Sequence, residues 1–163
     1  MIRPELPPPV SPIEPPAVDG LEAIIAKHPF LRGMKPEHLR VLAGNAMRLE
    51  FAAGELVFRE GDPANRFYLI EKGKVALEAR RKDERPKGIQ ELGPGDVLGW
   101  SWLFPPYYWH FDARALQPTT CIFFYGTRLR EQCEDNPELG YELIKRMAAI
   151  VIQRLQAARK LFK

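Results

Sequence analysis

Between Met47 and Tyr125 the chain is interrupted by turn sequences so often that no long element fits. Ala53-Gly54, Glu60-Gly61-Asp62-Pro63, Glu71-Lys72-Gly73 and Gly93-Pro94-Gly95-Asp96 separate short runs rich in Val, Ile, Phe and Tyr. Turn signals this close together leave room only for strands, and β-branched and aromatic side chains suit a pleated, half-buried surface. The spacing predicts strands near 47–51, 55–59, 66–71, 74–80, 88–92, 111–116 and 120–125. Such short strands close most economically as an antiparallel β-sandwich or jelly-roll barrel.

On both flanks the pattern becomes helical. Asp19, with Glu22 three residues on, reads as an N-cap before Leu21, Ile24 and Ile25. Pro36 opens a second short helix whose buried stripe is Leu39, Leu42 and Ala43. After Gly126 the helical period returns, and Asn136-Pro137 joins an N-cap to a proline at the first helical position. Ile144, Met147, Val151, Leu155, Ala158 and Phe162 then recur every three or four residues among Lys145, Arg146, Gln153, Arg154 and Arg159. A helix this long has more apolar face than a small barrel covers, so a homodimer packed through it is the natural outlet. Folding back onto its own barrel is the alternative. The fold class is therefore mainly β with flanking helices: short at the N-terminus, long at the C-terminus. Residues 19–136 would form the barrel domain with its N-terminal helices, and 137–163 the dimerisation helix.

Residues 1–18 carry Pro4, Pro7, Pro8, Pro9, Pro12, Pro15 and Pro16. That density excludes a helix or a ladder and predicts a disordered, polyproline-like leader. A ligand for a proline-binding module is its functional alternative. With 24 basic and 21 acidic residues among 163, net charge is +3, too balanced for a dedicated nucleic-acid surface. The basic run Arg80-Arg81-Lys82, with Arg85 and Lys87, reads as a solvated hairpin loop, with a docking patch as the alternative. Cys121 and Cys133 have no paired spacing, which points to a reducing compartment. No apolar run approaches a membrane span and no signal layout opens the chain, so a cytoplasmic protein without membrane contact is expected. His28, His38, His110 and the cysteines are too scattered for a metal site, and no cofactor is implied.

One loop stands apart. "GDVLGWSWLFPPYYWHFDARAL", Gly95–Leu116, holds all three tryptophans of the chain, Trp100, Trp102 and Trp109. Its Gly99-Trp100-Ser101-Trp102-Leu103 stretch is one glycine short of a nucleophile elbow and follows no parallel strand, so an enzyme is not expected. The aromatics are open to three readings: core filling, a ligand pocket, or a partner-facing patch.

The order of helices, turn-punctuated strands and long closing helix resembles the cyclic nucleotide-binding domain family, the effector domains of catabolite-activator-type regulators, cyclic-nucleotide-dependent kinases and gated channels. The specific match is "AAGELVFREGDPANRFYLIEKGKVAL", Ala52–Leu77, where Gly54, Gly61 and Gly73 stand at the family's turn glycines and Tyr68-Leu69-Ile70 on the following strand. Leu92-Gly93-Pro94-Gly95-Asp96 resembles the lead-in to the family's phosphate-binding cassette. In that cassette a Phe-Gly-Glu supplies the acceptor for the ribose hydroxyl. An arginine, with the amides of a short helix, holds the cyclic phosphate.

Here Leu98-Gly99-Trp100 aligns with Phe-Gly-Glu, and Trp109 falls at the phosphate arginine, followed by His110 and Phe111. Both charged anchors are replaced. Losing both removes roughly 3–6 kcal/mol, or about two to four decades of affinity. Strand alternation would point Trp109, Phe111 and Ala113 into the barrel and His110, Asp112 and Arg114 away from it. The resemblance implies a regulatory domain that binds a small-molecule effector, nucleotide-like or not; the loss of both anchors implies that ordinary cyclic AMP and cyclic GMP bind weakly or not at all. The candidate ligand-binding residues are Gly99, Trp100, Ser101, Trp102, Trp109, His110 and Phe111. A ligand-free dimeric interaction module is the second reading, and a haem sensor using His110 a third. The family's transcription factors carry a helix-turn-helix after the long helix; none is readable here, so direct DNA binding is not expected.

Overall fold

The structure is a computed structural model that describes residues 18–79 and 87–160. The proline-rich leader, up to residue 17, and the basic run from Arg80 to Pro86 lie outside the described residues. In chain order the elements are α1 (Val18–Lys27), α2 (Pro36–Ala43), β1 (Ala46–Phe51), β2 (Leu56–Phe58), β3 (Arg66–Lys72) and β4 (Val75–Ala79). There follow β5 (Lys87–Leu92), β6 (Val97–Leu98), β7 (Asp112–Ala115), β8 (Thr119–Tyr125), α3 (Gly126–Asp135) and α4 (Pro137–Lys160).

The strands form two antiparallel sheets, ordered β1-β8-β3-β6 and β2-β7-β4-β5. The expected jelly-roll sandwich is therefore present. β4 and β5 pair in antiparallel fashion up to Ala79↔Lys87. The turn glycines Gly54, Gly61 and Gly73 all have positive φ. At Gly73 the need is double, because a Cβ would also lie 2.4 Å from Thr119 Oγ1.

Alternation along β3 and β8 builds two cores. Tyr68, Ile70, Cys121 and Phe123 point between the sheets, where Leu49, Val57, Phe58, Val75, Leu77 and Leu98 meet them. Phe67, Leu69, Ile122 and Phe124 point the other way, into a second core closed by the helices. A strand buried on both faces reads as a continuous apolar run, which is why β3 contains Phe67-Tyr68-Leu69-Ile70. Each such side chain contributes about 1.5–3 kcal/mol on burial, so the helices are as necessary to this sheet as the second sheet is.

α2 buries Leu39, Leu42 and Ala43, as its sequence pattern predicts, with His38 beside them. α1 starts at Val18, which places Asp19 inside the first turn rather than at the N-cap; a helix end shifts by a residue or two with local hydrogen bonding. The Leu139 amide donates to Asn136 Oδ1 at 3.4 Å, the cap expected for α4.

Two short pieces were not separated by sequence. β6 has two residues, pairing Leu98 with Tyr68 and Val97 with Leu69. α3 is a helix of its own before Asn136.

α4 has two apolar faces. Leu139, Leu143 and Met147 are fully buried against the chain's own helical core, with Ile150 packed beside them. Tyr141, Ile144, Ile152 and Leu155 lie on the other side, 62%, 47%, 54% and 68% exposed. The expected single stripe thus splits: Met147 serves the intramolecular core, whereas Ile144 and Leu155 remain open.

Candidate functional site

Between β6 and β7 the chain makes an irregular loop pinned at both ends. Its distal part lies along the Glu60–Ala64 turn. The Gly61 amide donates to the Trp109 carbonyl at 2.8 Å, the Trp109 amide to the Asp62 carbonyl at 3.0 Å, and the Ala64 amide to the Tyr107 carbonyl at 2.7 Å. These bonds direct the Trp109 indole between the sheets. It stacks on Phe58 with ring centroids 3.9 Å apart and planes 10° apart, and is 5% exposed. Its far edge lies on Gly99: a Cβ there would meet Trp109 Cζ3 at 2.7 Å, and φ of +93° independently disfavours any other residue. Gly99 is required because a tryptophan ring occupies the space a side chain would need.

The three tryptophans have three separate destinations. Trp109 belongs to the inter-sheet core. Trp102 is fully buried in the helical core, stacked on Phe67 at 4.8 Å, while Arg130 Nη1 donates to its carbonyl at 2.5 Å. Trp100 is half-buried at the rim, stacked on the exposed His110 ring at 5.4 Å. Aromatic density in the sequence therefore reports two cores and one rim rather than one aromatic pocket.

Six of the seven predicted site residues line a single cleft: Gly99, Trp100, Ser101, Trp109, His110 and Phe111. Trp102 does not reach it. Phe58 and Leu77 complete the apolar wall, and Arg154 of α4 closes the cleft from outside the barrel. The cavity volume is about 20 Å³, room for a single water.

His110 lines the cleft although strand alternation would turn it away. β7 begins only at Asp112, so a period of two does not apply to residues 109–111. From Asp112 onward alternation holds. Arg114 lies outside, its Nε donating to Glu78 Oε1 at 3.0 Å and Nη1 to the Gly54 carbonyl at 2.9 Å. It is paired there and does not line the cleft.

Arg154 was not singled out from the sequence, where it reads as one more polar residue around an apolar stripe. Its Nη2 donates to the Val97 carbonyl at 2.6 Å. Burial holds its guanidinium below the ordinary arginine range, partly offset by the charge of Asp96. Among the described residues no group of three or more His, Cys, Asp or Glu side chains could hold a metal ion. No described helix is long and apolar enough to cross a membrane.

A two-sheet sandwich with a glycine-led loop between β6 and β7 and a long closing helix defines a class of effector-binding domain. Residues 48–136 match the pattern of the cyclic nucleotide-binding domain, and the chain belongs to that family. It is 27% identical over 128 residues to the CRP-like cAMP-activated global transcriptional regulator of Mycobacterium tuberculosis, covering 78% of this chain and 57% of the regulator. The chain thus spans little more than half of that relative. Its fold superimposes on a Geobacter metallireducens protein described as cyclic nucleotide-binding, with a TM-score of 0.74 and 29% identity, over 82% of this chain and 97% of the other. At 22% identity and a TM-score of 0.60, the fold is shared with the regulatory subunit of a cAMP-independent protein kinase A from Trypanosoma cruzi bound to guanosine, over 76% of this chain and 48% of that one.

Proposed function

We propose that this chain is an effector-responsive regulatory domain, dimeric through α4, whose effector is neither cyclic AMP nor cyclic GMP, and that it is not an enzyme. The observation that carries the reading is the Trp109 ring lying on Gly99, where the family resemblance puts the phosphate arginine. A nucleotide phosphate there would lose the arginine of the loop, meet an indole, and find space for one water. With Trp100 at the ribose-acceptor position, neither end of a cyclic nucleotide has its charged partner.

Dimerisation is supported by the outer face of α4. Tyr141, Ile144, Ala148, Val151, Leu155 and Ala158 follow the alternating three-four spacing of a coiled-coil seam. The balanced charge favours a small-molecule or protein partner over nucleic acid.

The closed cleft also favours a second reading, a ligand-free interaction module that retains the fold for dimerisation. Thermal unfolding against a panel of small-molecule effectors separates the two. A true effector at a hundred times its dissociation constant adds about 2.7 kcal/mol. A panel with no stabilising member would contradict the sensor reading.

A further inference from the structure

Arg154 lies where an external helix meets a cleft that, among the described residues, has no other arginine or lysine in its lining. Its side chain lines that cleft with Gly99, Ser101, Trp100 and His110. Among the described residues its one hydrogen bond runs from Nη2 to the Val97 carbonyl. A guanidinium has five donors in a planar fork, so one neutral acceptor leaves most of that capacity unused. Among the described residues it has no ion-pair partner. Asp96, the carboxylate whose charge reaches it, already accepts from the Gly93 amide at 2.8 Å. A half-buried guanidinium with no counter-ion among the described residues is a suitable partner for a carboxylate or phosphate.

The walls differ in burial. Trp109 and Phe58 are locked by stacking and burial. Trp100 is half-buried and its stacking partner His110 is exposed. A flat ring can therefore enter by replacing the imidazole on the face of Trp100, without disturbing the core.

We propose that the mouth of the cleft binds a planar organic anion smaller than a nucleotide, its acid group held by Arg154 and its ring stacked on Trp100 in place of His110. This rests on the effector-sensing reading above and adds the chemistry of the effector. The cation comes from α4 and not from the cassette loop, so the ligand's charge is read by the same helix that carries the exposed apolar seam. Engaging the ligand competes with the Val97 carbonyl for the guanidinium, and the distal half of α4 responds.

The test follows the three Trp indole N–H signals by NMR in the full chain. It titrates phenyl phosphate, its uncharged counterpart benzyl alcohol, and inorganic phosphate. Phenyl phosphate should shift the Trp100 signal saturably and far more tightly than either control. Arg154→Gln should weaken it about tenfold to a hundredfold, and Arg154→Lys, which keeps the charge, should retain part of the binding. The unshifted Trp102 signal reports that each variant is folded. If phenyl phosphate and benzyl alcohol bind alike and Arg154→Gln changes neither, the anion subsite is refuted while an effector cleft stands. Equal binding of inorganic phosphate and phenyl phosphate would refute the stacking half. If no probe moves Trp100, this inference falls, while the sensor reading is decided separately by the thermal-unfolding panel.

Discussion

Replacing Trp109 by alanine separates a tryptophan that fills a core from one that waits at a binding site. The indole is nearly fully buried, stacked on Phe58 at 3.9 Å and in contact with Gly99. Truncating a buried Trp to Ala costs about 3–5 kcal/mol, the transfer of the ring plus the cavity it leaves. Stacking contributes about 0.5–1.5 kcal/mol within that total. For a chain of this size each kcal/mol lowers the melting temperature by about 2–4 °C, so Trp109→Ala should melt about 6–20 °C lower. Trp100→Ala removes a half-buried ring that stacks on an exposed histidine, and should cost several-fold less. Differential scanning calorimetry on both variants is the assay. If Trp109→Ala melts within 2 °C or so of the parent, or Trp100→Ala costs as much, Trp109 is not the plug described here.

The outer face of α4 predicts that Val151→Glu with Leu155→Glu gives a folded monomer in sedimentation, whereas Met147→Glu, in the inner core, unfolds the domain; an unchanged dimer mass for the first would refute the seam. Burial pushes the thiols of Cys121 and Cys133 up to about 12 and about 11, so both should resist DTNB in the native state and react on unfolding. His28 accepts the Phe30 amide at Nδ1 (3.2 Å) and donates from Nε2 to the Ile70 carbonyl (3.3 Å), and burial lowers its pKa. The folded state therefore holds it neutral while the unfolded state takes up a proton below about pH 6.5. Stability should be constant above that pH and fall as pH drops through it, and His28→Gln should flatten the slope in urea titrations.

The sandwich was legible because its turns are written in glycine, proline and aspartate, and because β3 and β8 carry apolar residues on both faces. α2 was legible from Pro36 and one apolar stripe. What failed were readings that extended a period beyond its element. Alternation applied to Trp109-His110-Phe111 turned His110 the wrong way, since those residues precede β7. A single stripe on α4 merged Met147, which faces inward, with Ile144 and Leu155, which face out. β6 was invisible because two residues show no period at all. Six of the seven site residues converge because they share one loop. Trp102 parts from them because one turn of that loop passes over the sheet edge into the helical core. Arg154 could not be found by spacing: it is brought to the cleft by the packing of α4, some forty residues after the loop, and nothing local marks it.

Trp100 and Trp109 are proposed to close this family member to ordinary cyclic nucleotides. Isothermal titration calorimetry of the unmodified protein with cyclic AMP and cyclic GMP tests it, beside a Trp100→Glu, Trp109→Arg double variant and a chain beginning at Asp19. The unmodified protein should give no measurable heat at micromolar concentrations, the shortened chain the same, and the double variant should gain binding. Micromolar binding by the unmodified protein would contradict it, and binding gained only on removing the leader would place the block outside the two tryptophans.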